Sequence, residues 1–290
     1  MKQTKGAIGN LLNRYRAVLK KCHLLNTFGS LAVASILCIG SATDLHAASF
    51  PSDNYILTED IANTQYTIEA GESQIIDLNG HNISILTDGS TIRNEGQLII
   101  NDIDNSGKIS SSFENTKGDS VGIFIISEKE NTTSRLIVNG GSIYGTAFGI
   151  SGNGNPEFKG ETFIEINGGL VESGKGTAIF NPQKGIVNIN GGIIRGASGI
   201  EMRSGTLNIS DGEIIATAKF SSWENGNGNT NDGAAISVVQ HSTKNDINVN
   251  ISGGSFTGEY AFYQQDLQNN NSENINIKID GGNFDGKIYS

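Results

Sequence analysis

From residue 73 onward the chain is written in short alternating runs of apolar and polar residues that keep returning to one frame. The decapeptides at 136–145, 164–173, 187–196, 207–216, 249–258 and 277–286 share it; the first reads Leu-Ile-Val-Asn-Gly-Gly-Ser-Ile-Tyr-Gly. Aligned on the second glycine, the position five before it holds Leu136, Ile164, Val187, Leu207, Val249 and Ile277. Three before it stand Val138, Ile166, Ile189, Ile209, Ile251 and Ile279, and two after it Ile143, Val171, Ile194, Ile214, Phe256 and Phe284. The intervening position, four before, is mostly polar: Ile137, Glu165, Asn188, Asn208, Asn250 and Lys278. Period-two alternation predicts a half-buried strand. The phase flips across Gly-Gly, as at a sharp corner, and glycine is the residue that takes the positive φ such a corner needs.

A second apolar patch follows each corner, as in Ala147-Phe-Gly-Ile150, Thr177-Ala-Ile-Phe180 and Tyr260-Ala-Phe-Tyr263. Successive second glycines lie 28, 23, 20, 42 and 28 residues apart. A minimum near 20 with variable excess predicts a solenoid of parallel strands whose insertions leave the coil as loops. Ile76-Asp-Leu-Asn-Gly-His-Asn-Ile83 reads as an earlier copy with His81 in place of the second glycine, and Leu98-Ile-Ile-Asn101 opens another. The expectation is an all-β parallel β-helix of about eight coils over residues 73–290, with residues 48–72 as an N-terminal cap. At ~4.8 Å per coil the stack would be about 40 Å long. An up-and-down barrel is the alternative, but it needs hairpins and no glycine corner in each repeat.

These repeats, and the opening Ile75-Ile-Asp-Leu-Asn-Gly-His-Asn-Ile-Ser84, resemble the right-handed parallel β-helix proteins of the pectin-lyase-like superfamily. The resemblance implies a right-handed coil, in keeping with the rule for parallel crossovers. It also implies a scaffold that hosts polysaccharide lyases and hydrolases as well as adhesins.

Charge changes the picture at the N-terminus. Residues 1–43 carry Lys2, Lys5, Arg14, Arg16, Lys20 and Lys21 and no acid. The apolar run Leu31-Ala-Val-Ala-Ser-Ile-Leu-Cys-Ile39 and small residues at 40–42 and 47–48 follow. That order predicts a signal peptide over 1–47, cut after Ala42 or Ala47, and a nine-residue run is too short to span a bilayer. The long basic segment 10–29 resembles the extended leaders of autotransporters and other large surface proteins of Gram-negative bacteria. Both cysteines, Cys22 and Cys38, lie in the leader, so residues 48–290 can form no disulfide or Cys-ligated metal site. The whole chain carries a net charge of −10; six basic residues and one acid fall in the leader, which leaves 14 bases against 29 acids, −15, beyond it. Nucleic acid is excluded as a partner on that balance, and anionic polymers are disfavoured.

Candidate chemistry is sparse. The Asp pairs and Gly-His-Gly of the polygalacturonase-like hydrolases are absent. A lyase-like site would have to come from Glu172, Arg195, Glu201, Arg203, Asp211 and Glu213, carboxylates and arginines clustered within about two coils. The frame puts Glu172 one rung from Arg195, where an exposed cross-rung ion pair is the plainer reading. His81 and His241 lie many coils apart, so no histidine-based metal site or triad is expected, nor any cofactor, and surface roles are read for both. Asn139, Asn167 and Asn190 share a column and predict a corner ladder. The 42-residue spacing contains the only tryptophan. There Trp223, Glu224, Asn225 and Asp232 form a candidate carbohydrate-binding loop, one that would otherwise serve only to cover a side of the coil. Together these readings predict an exported surface protein, an autotransporter-like adhesin passenger or part of one. It would bind a carbohydrate or host-surface ligand without catalysis; a secreted polysaccharide lyase or hydrolase is the alternative.

Overall fold

The computed structural model describes residues 48–113, 120–224, 229–265 and 274–290. The expected leader, 1–47, lies outside the described residues, and everything below concerns the compact unit His46–Ser290.

Alternation in the sequence becomes a parallel β-helix. Its first column is a nine-stranded sheet in which every neighbour is the strand of the next coil: Asn54–Ile56, Ser73–Asp77, Gln97–Asn101, Thr133–Val138, Glu161–Ile166, Gly185–Ile189, Gly205–Ile209, Ile247–Ile251 and Ile275–Ile279. All these pairings are parallel, which excludes the barrel. A second and a third column complete each coil. They merge into one 16-stranded sheet because the ten-residue strand Ser255–Gln264 runs through both. Eight coils run from Ser73 to Tyr289. Residues 54–68, expected as a cap, add a ninth with the same three strands, Asn54–Ile56, Ile61–Ala62 and Tyr66–Ile68. Phe50 stacks on Tyr66 at 3.9 Å between ring centroids and covers that end of the core.

The predicted columns are the observed register from the fourth coil on. Val138 pairs with Ile166, Ile166 with Ile189, Ile189 with Ile209 and Ile209 with Ile251. All five are buried, as are Ile143, Val171, Ile194, Ile214 and Phe256 of the second column. The corner glycines Gly141, Gly169 and Gly192 have φ of 79°, 79° and 83°. A Cβ on Gly169 would stand 2.3 Å from the Gly141 carbonyl oxygen, so the coils stack backbone on backbone at this edge.

In the second coil the expected frame is off by two residues. Ile76 pairs with Ile100 and Ile100 with Val138, so Ile76 belongs to the column of Val138 rather than that of Leu136. Two extra residues turn this corner: Asn79 and Gly80 have φ of 47° and 78°, and His81 merely follows them. The side chain of Leu78 fills the space, since a Cβ on Gly107 would lie 2.6 Å from its Cβ.

The asparagine ladder is present and directional. Asn139 donates to Asn101, Asn167 to Asn139 and Asn190 to Asn167, each from Nδ2 to Oδ1 at 2.8–2.9 Å, and Ser210 donates to Asn190 at 3.2 Å. A shorter ladder runs from Asn250 through Asn208 to Asn188 on the outer face of the first column.

Candidate functional site: the hairpin-covered face

The largest departure from the repeat lies at the corner between the second and third columns of the seventh coil. Between Glu213–Ala216 and Ala234–Val238 the chain leaves as an antiparallel hairpin of Ser221–Glu224 with Asn229–Asp232, Trp223 facing Thr230 in register. It is a hairpin rather than the loop expected, because Ser-Ser-Trp-Glu and Asn-Thr-Asn-Asp flank Asn225-Gly-Asn-Gly228, a strong short-range hairpin signal.

The second strand of the hairpin is anchored on the outer face of the third column. In that column Phe180, Glu201 and Ser237 stand side by side on successive coils. Ser198 Oγ donates to the Asn231 carbonyl at 2.6 Å, and Asn231 Nδ2 donates to Ser237 Oγ at 2.7 Å. The root packs sideways as well, with Phe220 4.5 Å and 4.7 Å from the rings of Tyr260 and Tyr263 and its N–H bonded to Glu259 at 2.7 Å.

Beneath this cover Glu201 and Arg203 are 0% and 1% exposed. Arg203 Nε donates to Glu201 Oε1 at 2.7 Å, Nη2 donates to Thr230 Oγ1 at 2.5 Å, and the guanidinium lies 4.8 Å over the Phe180 ring. Burial pushes the Glu201 carboxyl up from its ordinary range while Arg203 beside it pulls back. Asp232 on the hairpin is likewise raised by burial. His241 corrects the surface role read from sequence: it is 6% exposed, with Nδ1 accepting the Thr243 N–H at 3.1 Å. Burial and then the charge of Arg203 hold its pKa low, so the ring is kept neutral.

The six candidate charges therefore fall into separate places. Glu172 and Arg195 pair across rungs on the outer face of the second column, 2.5 Å apart and partly exposed. Glu201 and Arg203 pair under the hairpin on the third column. Asp211 accepts the N–H of Gly212 at 2.8 Å in the corner between first and second columns, and Glu213 is exposed next to it. Of the hairpin residues, Trp223 and Glu224 are placed by backbone register alone, Asp232 accepts from Ser221 Oγ at 3.5 Å, and Asn225 lies outside the described residues. The sequence had no sign that Thr230 and Asn231 would converge on the pair, because their approach depends on how the hairpin folds back; His241 comes instead from the corner after Ala234–Val238, where its N–H bonds the Arg203 carbonyl at 3.1 Å.

Among the described residues no group of three His, Cys, Asp or Glu side chains is arranged to hold a metal ion, and no helix is long and apolar enough to cross a membrane. No protein family, no curated protein and no solved structure matches the chain.

Proposed function

We propose that the protein is an exported surface β-helix of Gram-negative type, an adhesin-like passenger or a part of one, that binds through the features projecting from its coils and does so without catalysis. A right-handed coil of pectin-lyase-like kind and export through the leader 1–47 belong to the same reading. The observation that carries it is the arrangement of the charged groups. The arginines and carboxylates best suited to lyase chemistry are engaged with each other, Glu172 with Arg195 on one face and Glu201 with Arg203 under the hairpin. The hairpin bearing Trp223 is the largest feature outside the repeat.

Two measurements test it. An antibody against residues 48–290 should find the protein in the outer-membrane fraction or the medium; confinement to the cytoplasm would refute export. Purified full chain should leave a broad polysaccharide panel unshortened. Depolymerisation that disappears in a folded Glu201→Ala variant would replace this reading with the lyase or hydrolase one, for which the raised carboxyl of Glu201 is the supporting observation.

A further inference from the structure

At the corners between the third and first columns, four coils meet around one cavity. The long corners of the fourth coil (152–160) and the seventh (239–246) stand on either side, and the short corners of the fifth (182–184) and sixth (203–204) lie between them. The cavity encloses about 780 Å³, opens to solvent, and reaches Phe180 and Arg203 at the edge of the hairpin-covered face.

His241 is built into it. The side chain is 6% exposed. The Thr243 N–H that meets Nδ1 at 3.1 Å can only donate, so Nδ1 accepts and the neutral ring carries its proton on Nε2. That Nε2 makes no hydrogen bond with a described residue. Gly154 faces it. A Cβ there would lie 3.3 Å from Nε2 and 2.9 Å from the Pro182 carbonyl oxygen, so a side chain at 154 would cover the donor.

Asn153 and Asn155 on the opposite side add groups of the same kind. Asn153 Oδ1 accepts the Asn155 N–H at 2.9 Å and Asn155 Oδ1 accepts the Glu157 N–H at 3.0 Å, two Asx turns that fix the corner. Their Nδ2 groups bond no described residue. The lining side chains therefore offer N–H donors, while their acceptor atoms are engaged inside the corners. Among the described lining residues Arg203 is the one formal charge, and Glu201 neutralises it at 2.7 Å. Glu157 stands exposed just beyond Pro156, so an anion gains little here. The half-buried Phe180 ring and the exposed Pro156 supply apolar surface.

We propose that this cavity binds an uncharged N-acetylated sugar residue. An acetamido carbonyl is an uncharged acceptor suited to His241 Nε2–H, and ring hydroxyl oxygens accept from the two asparagine amides. The acetyl methyl and the C–H face of the sugar meet Phe180 and Pro156. A peptide would bring several fixed N–H donors for which the lining side chains hold no spare acceptor, whereas sugar hydroxyls turn their hydrogens to water. The proposal rests on the surface-binder reading, since it names the ligand chemistry of that protein.

The test is titration of the full chain, followed by saturation-transfer NMR, with methyl N-acetylglucosaminide, methyl glucoside and methyl glucuronide. The acetamido sugar should bind with Kd on the order of 0.1–10 mM. The other two should bind about fivefold or more weaker, the size of one lost hydrogen bond. His241→Asn keeps an acceptor for the Thr243 N–H and removes the Nε2 donor, and should weaken the acetamido sugar about fivefold. Asn155→Asp keeps the Oδ1 that orders its turn and exchanges the donor for an acceptor, so it should weaken binding at least as much without depending on the buried ring. Equal binding of acetamido sugar and glucoside, tighter binding of the glucuronide, or unchanged affinity in folded Asn155→Asp would each overturn the proposal. A cytoplasmic location would defeat the surface reading and leave the sugar titration standing, so the two failures are distinguishable.

Discussion

Replacing Arg203 by Met keeps an unbranched apolar stem over Phe180 and removes the cation paired with Glu201. At 2.7 Å the pair's attraction is about 6 kcal/mol at an effective dielectric of ~20. Desolvation of two fully buried ions costs several kcal/mol each, so the intact pair sits near balance. Without Arg203 that cost stands alone, and Glu201 escapes it by binding a proton. The escape sets the size of the effect, since protonating a carboxyl of ordinary pKa 4.5 costs about 1.4 kcal/mol per pH unit above it. The charge-related deficit is therefore capped at about 3.4 kcal/mol at pH 7 and about 0.7 kcal/mol at pH 5. The sign follows from the raised folded-state pKa. Folded chain then holds more protons than unfolded chain, so stability is greatest below about pH 4.5 and falls as pH rises toward the folded value. In the parent the slope has the same sign but is smaller, because Arg203 opposes the shift. Urea unfolding of parent and Arg203→Met across pH 5–8 should show the difference widening with pH, and Glu201→Gln added to the variant should flatten it. A deficit that does not change with pH, or one that persists with its slope in the double variant, would refute the reasoning.

Gly169→Ala should destabilise by more than about 2 kcal/mol, since it combines a positive φ with a Cβ 2.3 Å from the Gly141 carbonyl oxygen; Gly71→Ala, at φ 92° with open space around it, should cost only the ~1 kcal/mol of the backbone term. Thermal melts of the two side by side separate close stacking from φ strain. Ile189→Ala, in the middle of the buried column, should cost about 2–5 kcal/mol in denaturant unfolding, whereas Glu172→Ala should cost under ~1 kcal/mol because its partner Arg195 is 46% exposed. Asn167→Ala removes both a donor and an acceptor from the ladder and should cost about 1–2 kcal/mol by the same measurement.

The coil was legible because strand period, glycine corner and column identity repeat together, and one copy checks another. Where repetition weakened, legibility went with it. At Ile76 the motif Asn-Gly-His looked like a corner with one glycine replaced, and only pairing with Ile100 shows that Leu78 has been added inside it. Residues 54–68 carry too few alternating positions to announce a coil, yet they pair strand for strand with the next one. The Glu172–Arg195 pair was readable because both residues belong to a column. Glu201 and Arg203 were visible as charges, but their burial was not, because it comes from a hairpin that crosses coils instead of following them.

The hairpin also bears on how such a stack comes apart. In a chain of coils that touch only their neighbours, loss of structure fronts inward from an end, one rung at a time. The hairpin adds a second set of bonds between neighbouring coils. It starts from the seventh coil, grips Ser198 and Arg203 of the sixth, and at its root holds Glu259 of the eighth, which in turn receives Lys287 of the ninth at 3.2 Å. Coils six to eight are thereby riveted into a single cooperative block. Loss of structure that reaches this block must stall there until the rivet is drawn, and hydrogen exchange in the sixth, seventh and eighth coils should then proceed at one shared rate rather than in a graded series.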